Sequence, residues 1–359
     1  MNRKNGTIEF YRFVFCILVV LCHTVDLAES DFVLFKAGSI GVEFFFVVSG
    51  YLMAKTIYGK AAVNKEILNG ETIADETIQF IKRKIKSLCP NYYVAWIVAF
   101  VFYLFSHKIY KFRKIVKVFL SGFWELVFLN NTGLQVTGIA GATWYISAML
   151  LCMVIIYPIM RKHTEVFTRI AAPVFSAIIL GFLIHQYKTL RDVSVWIGPT
   201  YKSNLRAFAE ICLGISIYPY SQRLKCISLT RHKRVCLSIV EQLGYFGLIY
   251  CAWQQKASKL DAVYLFFAAI SIMISFSGQS IFQKLFDNKV CYWLGEFSLS
   301  LYLSHRFYSR FLNLIFTDKT YWELVPIYLA LSFGTGIFVM YLSKFIKNKW
   351  RKKVSLINT

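Results

Sequence analysis

The feature that most constrains this chain is a succession of apolar runs, each close to the roughly 20 residues that a helix needs to cross a bilayer. Ten such runs can be placed, at 10–27, 38–58, 90–106, 142–160, 168–187, 205–221, 236–253, 260–277, 293–316 and 322–346. Of the 359 residues, 57% are hydrophobic and 18% are aromatic, far from the balance of a soluble domain. The sequence therefore predicts an all-α polytopic membrane protein with about ten transmembrane helices.

The net charge of +22 is gathered in short basic clusters between the apolar runs. By the positive-inside rule such clusters lie in the cytoplasm. Ten spans with both termini in the cytoplasm place most of the clusters on that side. The basic residues at 108–114 are the exception, because this arrangement leaves them outside. To keep ten spans, we interpret the short apolar stretch 115–129 as an interfacial or re-entrant helix on the outer face. We expect a multi-pass protein of the plasma or inner membrane, with the lipid bilayer as a partner and no nucleic acid.

The cysteines indicate neither a disulfide framework nor a zinc site. They are nine in number, lie mostly within apolar runs and form no CxxC pair. We therefore expect no metal and no permanently bound cofactor.

The first apolar run contains ionisable residues at positions where a lipid-facing helix would not tolerate them. Arg12 and His23 are eleven residues apart, about three helical turns, so both project from one face and lie roughly 16 Å apart along the axis. A charge at the bilayer centre costs at least ~2.5 kcal/mol, which favours a protein interior or an aqueous cavity over lipid. This helix is therefore predicted to line a site.

Two carboxylates are candidates to act on His23. Glu43 lies in the first part of the second apolar run, at about the depth of His23, and Asp26 lies one turn beyond the histidine. A carboxylate beside an imidazole orients the ring and raises its basicity, which suits a general base. The alternative is a buried ion pair or hydrogen bond that only joins two helices.

A basic segment, FIKRKIKSLCPNYYVAW at 80–96, precedes the third run and contains Arg83, Lys84 and Lys86. Such a cluster at a cavity mouth suits the phosphates of a nucleotide-like donor, with arginine giving a bidentate grip and lysine a point charge. A cytoplasmic anchor with an aromatic belt explains the same residues, and composition leaves the two interpretations even.

Aromatic and charged residues in later runs indicate the other wall of a cavity. Trp144 and Tyr145 open the fourth run, where interfacial anchoring also explains them. The ninth run places Tyr302, His305 and Arg306 near mid-depth with another arginine close by, and such a set favours a filled cavity over a dry core.

In order along the chain, these motifs resemble the acyltransferase 3 family of integral-membrane acyltransferases. The matching elements are Arg12 and His23 as R-x10-H, GVEFFFVVSGYLMA at 41–54, FIKRKIKSLCP at 80–90, TWYISAMLLCMVIIYP at 143–158 and SLSLYLSH at 298–305. The resemblance implies that His23 is the catalytic residue, that Arg12 is its essential companion and that the basic segment handles the donor. The family's second basic motif is usually R-x-x-R, and the nearest match here is Arg83 with Lys86, or Lys84 with Ser87.

The resemblance also implies how the chain is organised. We expect one membrane domain over 1–350 and a short basic cytoplasmic tail at 351–359. Many family members carry a fused extracytoplasmic hydrolase-like domain, for which this chain has no room after the tenth run, so we expect it to act alone or with a separate partner.

The expected function is transfer of an acyl group, by default acetyl, from cytoplasmic acetyl-CoA or another acyl-CoA to a hydroxyl of a surface or exported polysaccharide. His23 acts either as general base or as an acyl relay, and the sequence does not separate the two. Trp144, Tyr145, Tyr302, His305 and Arg306 are expected to line the acceptor side. The expected partners are acyl-CoA, the glycan and other glycan-assembly proteins. The alternatives are a transporter of a glycan or lipid-linked sugar and a non-catalytic component of a glycan assembly complex.

Overall fold

A computed structural model describes residues 4–63, 69–134, 138–191, 194–254 and 259–357 of the chain. The α-helices are α1 Gly6–Cys22, α2 Gly41–Val63, α3 Gly70–Ser106, α4 Phe112–Ser121, α5 Phe123–Leu126, α6 Trp144–Lys162, α7 Thr164–Val166, α8 Ala172–Tyr187, α9 Lys202–Cys226, α10 Arg231–Trp253, α11 Asp261–Ser277, α12 Gln283–Phe286, α13 Lys289–Phe311 and α14 Tyr321–Ile357. The described part also holds two paired strands, β1 Trp196–Ile197 and β2 Thr200–Tyr201, which form a small antiparallel hairpin. The all-α class predicted from the sequence is confirmed.

Each of the ten apolar runs falls on a helix of the structure. In the described part, seven helical segments are long and apolar enough to cross a membrane, and they comprise α1, α2, α3, α6, α7 with α8, α10 and α14. α11 is apolar but shorter. α9 and α13 are as long as the others but carry several charged side chains, so length and composition alone do not class them as spans. The chain is a multi-pass membrane protein, whereas the count of ten and the side of each terminus stay predictions.

The structure differs from the predicted boundaries around the third run. The sequence predicts a polar cytoplasmic loop at 59–89 with a short surface helix inside it, but α3 runs without interruption from Gly70 to Ser106, with Pro90 in its interior. A proline inside a helix removes one backbone donor and crowds the preceding turn, and the helix can continue past it with a kink. The basic residues 82–86 are therefore helical.

The stretch 115–129 forms two short helices, α4 and α5, rather than one. None of the residues of α4 is buried, and Phe112 and Leu120 are among its most exposed side chains. An exposed apolar face on a helix that also carries basic residues suits the membrane interface. The interfacial position of this stretch stays a prediction.

The chain divides into two compact units. Unit 1 comprises Met1–Val19, Phe35–Ile81 and Ala148–Gly295, and its core is a cluster of buried aliphatic and aromatic residues from α1, α2, α8, α9, α10 and α11. Two glycines bring α2 and α9 into backbone contact: a Cβ on Gly50 would lie 2.0 Å from the Ile211 carbonyl oxygen, and one on Gly214 would lie 2.0 Å from that of Val47. Small residues at such points allow membrane helices to pack closely.

Unit 2 comprises Val20–Leu34, Lys82–Ser147 and Glu296–Thr359. Within it, the Tyr328 hydroxyl donates to the carbonyl of Val20 at 2.9 Å, and the Tyr321 hydroxyl lies 2.7 Å from that of Thr24. These contacts from α14 hold the short 3-10 turn His23–Asp26 that follows α1. Whether residues 1–350 behave as the one domain predicted from the sequence stays open to test.

Candidate active site

The 3-10 turn at the end of α1 places an imidazole beside a carboxylate. His23 Nδ1 lies 3.7 Å from Asp26 Oδ2, and the two side chains keep 24% and 31% of their surface exposed. Because a carboxylate only accepts, this arrangement favours a proton on Nδ1 and leaves Nε2 as the acceptor of the neutral ring. Catalytic hydrogen bonds are often long before substrate binds. At 3.7 Å the contact is longer than a hydrogen bond, but it places the carboxylate on the Nδ1 side of the ring.

Arg306 of α13 completes a three-residue cluster with this pair. Its Nη1 donates to Asp26 Oδ2 and, at 2.9 Å, to the hydroxyl of Ser309. The arginine side chain is 20% exposed, so the cluster is partly open to solvent rather than sealed in a dry core. One carboxylate thus lies between the guanidinium and the imidazole. We refer to His23, Asp26 and Arg306 below as the histidine cluster.

His305, the residue before Arg306, stacks on His23. The ring centroids lie 5.3 Å apart with an interplanar angle of 27°. His305 Nδ1 lies 2.6 Å from the carbonyl oxygen of Tyr302, and since a carbonyl only accepts, Nδ1 carries the proton. Nε2 of the neutral ring is then an acceptor, and within the described residues it is buried without a hydrogen-bond partner. A buried acceptor of this kind is suited to a donor supplied by a ligand.

Aromatic rings continue from the histidine pair. Tyr302 lies 5.6 Å from His305 between centroids, and Tyr145 lies 5.8 Å from Tyr302 in an edge-on arrangement. Trp144 adjoins Tyr145 as the first residue of α6. The residues predicted from the sequence to line the acceptor side are therefore grouped in unit 2 with His23.

The donor residues predicted in the basic segment lie on one stretch of α3, also in unit 2. Arg83 and Lys86 are exposed and Lys84 is partly buried. Arg83 and Lys86 are three residues apart, so they share a face of the helix. The side-chain ammonium of Lys347 in α14 donates to the carbonyl of Ser87 at 3.2 Å, which adds another positive charge to this stretch.

Arg12 lies in the part of α1 that belongs to unit 1, and its contact is local. Its Nη1 donates to Glu9 at 3.2 Å and 3.4 Å from the two carboxylate oxygens, and 34% of the side chain is exposed. A Cβ on Gly295 of α13 would lie 2.0 Å from Glu9 Oε2, so this glycine makes room for the carboxylate. The guanidinium is therefore oriented by Glu9 and remains open to a further anion.

Glu43 is fully buried in unit 1, and both of its carboxylate oxygens lack a hydrogen-bond partner in the described residues. The charges that act on it are those of Glu210, Arg206, Asp261 and Arg191, all of unit 1. The carboxylate in contact with His23 is that of Asp26. The predicted pairing of Glu43 with His23 joins residues of different units and stays a prediction.

One buried carboxylate near the cluster has no counterpart among the site residues predicted from the sequence. Glu125 of α5 is 1% exposed and accepts five hydrogen bonds from Trp96 and from the segment 139–143. The available signal was an acidic residue in a short apolar stretch, followed by a glycine-containing segment with many free backbone donors. Nothing in that signal indicates what the carboxylate binds.

Within the described ranges, no group of three or more His, Cys, Asp or Glu side chains is placed to hold a metal ion. The nine cysteines are free thiols. The ionisable groups of the histidine cluster are an imidazole, a carboxylate and a guanidinium.

These observations define a multi-pass membrane protein with a polar, partly open site of an imidazole, a carboxylate and an arginine. The family model described as acyltransferase domain matches residues 5–344. The chain thus belongs to the acyltransferase 3 family and is a membrane acyltransferase, as the order of its motifs predicts. The comparisons with curated proteins and with solved structures gave no match.

Proposed function

We propose that this protein is an O-acyltransferase of the bacterial plasma membrane that moves an acetyl group from cytoplasmic acetyl-CoA to a hydroxyl of a surface or exported glycan. The observation that carries the proposal is the cluster of His23, Asp26 and Arg306 with Nε2 of His305 beside it, which has no hydrogen-bond partner among the described residues. An oriented base next to a buried acceptor suits deprotonation of a bound hydroxyl.

In the proposed reaction the acceptor hydroxyl gives its proton to Nε2 of His23 as its oxygen attacks the thioester carbonyl of acetyl-CoA. A carbon–oxygen bond forms, the carbon–sulfur bond breaks and the proton passes from His23 to the leaving CoA thiolate. Asp26 stabilises the imidazolium through Nδ1, and a nearby guanidinium balances the charge that develops on the carbonyl oxygen. His305 Nε2 accepts a hydrogen bond from a second hydroxyl of the sugar.

The donor is proposed to bind through its phosphates to basic side chains. Arg83, Lys84 and Lys86 of unit 2 offer cations for the phosphates of CoA. In unit 1, the guanidinium of Arg12, which Glu9 orients, is a separate candidate to bind an anionic group of the donor. CoA is a substrate that leaves after each turnover. A relay through acetyl-His23 is the variant for a donor and an acceptor that reach the site from opposite sides, and other glycan-assembly proteins would then deliver the acceptor.

The experiment uses the full chain in lipid nanodiscs with acetyl-CoA labelled in its acetyl group and a glycan isolated from the host surface. Transfer predicts base-labile label on the glycan and one free CoA for each acetyl moved. Release of free CoA without labelled glycan, or neither product, contradicts the proposal. The second of these results is also what a transporter predicts.

A further inference from the structure

Glu125 is a buried carboxylate that binds one loop with both of its oxygens. Oε2 accepts from the indole nitrogen of Trp96 at 2.9 Å and from the backbone nitrogens of Ile139 and Ala140 at 3.2 Å. Oε1 accepts from the hydroxyl of Thr143 at 3.2 Å and from the backbone nitrogen of Gly141 at 3.4 Å. Ionised carboxylates bound by several backbone donors are strongly held. The carboxylate thus fixes the conformation of residues 139–143, which we call the clamp loop together with Gly138.

The clamp loop contacts two arginines of α13. Arg310 Nη1 donates to the carbonyl of Gly138 at 2.9 Å. Gly141 has φ +75°, and a Cβ there would lie 2.8 Å from Arg306 Cγ and 3.4 Å from Arg310 Nη1. Only a residue without a side chain satisfies both the backbone conformation and the contact with the arginine stem. The loop is therefore fitted against the arginine that holds Asp26.

Charge balance connects the same groups. Arg306 and Arg310 lie one turn apart on α13, and the charges of Arg306, Asp26 and Glu125 all act on Arg310. Two like charges at this spacing repel each other, and nearby carboxylates offset that repulsion. Asp26 neutralises Arg306 directly, and Glu125 supplies the second negative charge from behind the clamp loop.

We propose that Glu125 is a positioning residue of the acyl-transfer site. It holds the clamp loop against Arg306 and Arg310. Arg306 then holds Asp26, and Asp26 orients His23. Glu125 itself touches neither substrate nor the reacting atoms. The expected effect on kcat rests on the proposed function, whereas the contact of the clamp loop with Arg306 does not.

The test compares four single variants of the full chain in nanodiscs with wild type, and then the Arg306→Lys variant with and without Glu125→Gln. Glu125→Gln keeps the volume and removes the charge, Glu125→Asp keeps the charge, and Gly141→Ala pushes on Arg306. Gly198→Ala is the matched control, because Gly198 also has a positive φ of 57° but a Cβ there would meet no atom within 4 Å. The same acetyl-CoA and host glycan serve as substrates, and the melting temperature of each variant is recorded.

We expect Glu125→Gln and Gly141→Ala each to lower kcat by roughly 100-fold, the cost of about 1 Å of misplacement in a catalytic group. KM for acetyl-CoA is expected to stay at the wild-type value, because the donor residues are not touched. Glu125→Asp should recover part of the loss, and Gly198→Ala should keep the wild-type kcat. In the Arg306→Lys background the Glu125→Gln change should lower kcat little further, because both changes disturb the same contact of residue 306 with Asp26.

A readout that needs no turnover tests the geometry itself. Diethyl pyrocarbonate modifies accessible imidazoles, and the rate at His23 can be read from its peptide by mass spectrometry. Loosening of Arg306 should expose the ring, so Glu125→Gln and Gly141→Ala should react faster at His23 than wild type or Gly198→Ala. Wild-type rates at His23 in both variants overturn the inference, as does an unchanged kcat in both. A wild-type protein that transfers no acetyl group contradicts the proposed function, while the modification rates still decide the role of Glu125.

Discussion

His23 and Asp26 lie three residues apart in a 3-10 turn, with Nδ1 of the imidazole 3.7 Å from a carboxylate oxygen. The same oxygen accepts from Arg306, which comes 280 residues later. One carboxylate thereby connects a local pair to a distant helix. Its two contacts place a negative charge beside the imidazole at the end of the first helix.

The first prediction concerns this carboxylate. Asp26→Asn keeps the size of the side chain but removes the charge that stabilises an imidazolium, and it leaves Arg306 without its ion-pair partner. We expect the rate of acetyl transfer to fall by roughly 10²–10⁴, the range in which a positioned base contributes. The measurement is labelled acetyl transfer at equal protein in nanodiscs. Asp31→Asn, at an exposed position, is the control, and a wild-type rate in Asp26→Asn would remove the carboxylate from the mechanism.

The second prediction concerns the unpartnered nitrogen of His305. His305→Phe keeps an aromatic ring against His23 but removes the acceptor Nε2. If the nitrogen binds a sugar hydroxyl, kcat/KM for the glycan should fall about 10-fold, equivalent to ~1.4 kcal/mol for one hydrogen bond. KM for acetyl-CoA should not change. If kcat/KM fell equally for the glycan and for acetyl-CoA, the result would indicate that the ring only supports the fold.

The third prediction separates Arg12 from the chemistry. Arg12→Gln removes the guanidinium that Glu9 orients, and if it binds a phosphate of CoA then KM for acetyl-CoA should rise about 10-fold, or ~1.4 kcal/mol. The value of kcat at saturating donor should stay near wild type. The two parameters are obtained from initial rates over a range of acetyl-CoA concentrations. A drop in kcat with constant KM would instead place Arg12 among the catalytic groups.

The fourth prediction concerns stability in unit 1. Gly214→Ala brings a methyl group to 2.0 Å from the carbonyl oxygen of Val47, so α2 and α9 must separate. We expect a loss of about 1–3 kcal/mol, as for other overpacked sites, seen as a lower melting temperature in detergent. Gly181→Ala is the matched control on α8, where a Cβ meets no atom within 4 Å. Equal melting temperatures for the two variants would contradict the close packing of α2 and α9.

Sequence reasoning located the helices because the length and apolarity of each run are local properties. It missed the continuity of α3, since its polar first half resembles a loop and Pro90 suggests a boundary. In the structure the helix continues through both features. A proline inside a helix costs one hydrogen bond and a kink, and the surrounding turns can absorb that cost.

The candidate site shows the same division between local and distant information. The pairing of His23 with Asp26 follows from a spacing of three residues, whereas the contact of Asp26 with Arg306 joins the 3-10 turn after α1 to α13. Glu125 is more hidden still, because its partners are mostly backbone nitrogens that any sequence would supply. Contacts of this kind depend on how the helices assemble, which one sequence does not disclose.

The most direct test of the account is mass spectrometry of surface glycans from cells that express wild type, His23→Ala or His185→Ala at matched membrane levels. His185 is an exposed histidine of α8 and serves as the control. The account predicts an ester-linked mass with wild type and His185→Ala that is lost with His23→Ala, and the size of that mass names the acyl group. An unchanged ester pattern with His23→Ala, in a host where deletion of the gene abolishes the ester, would contradict the role of His23 as base or relay.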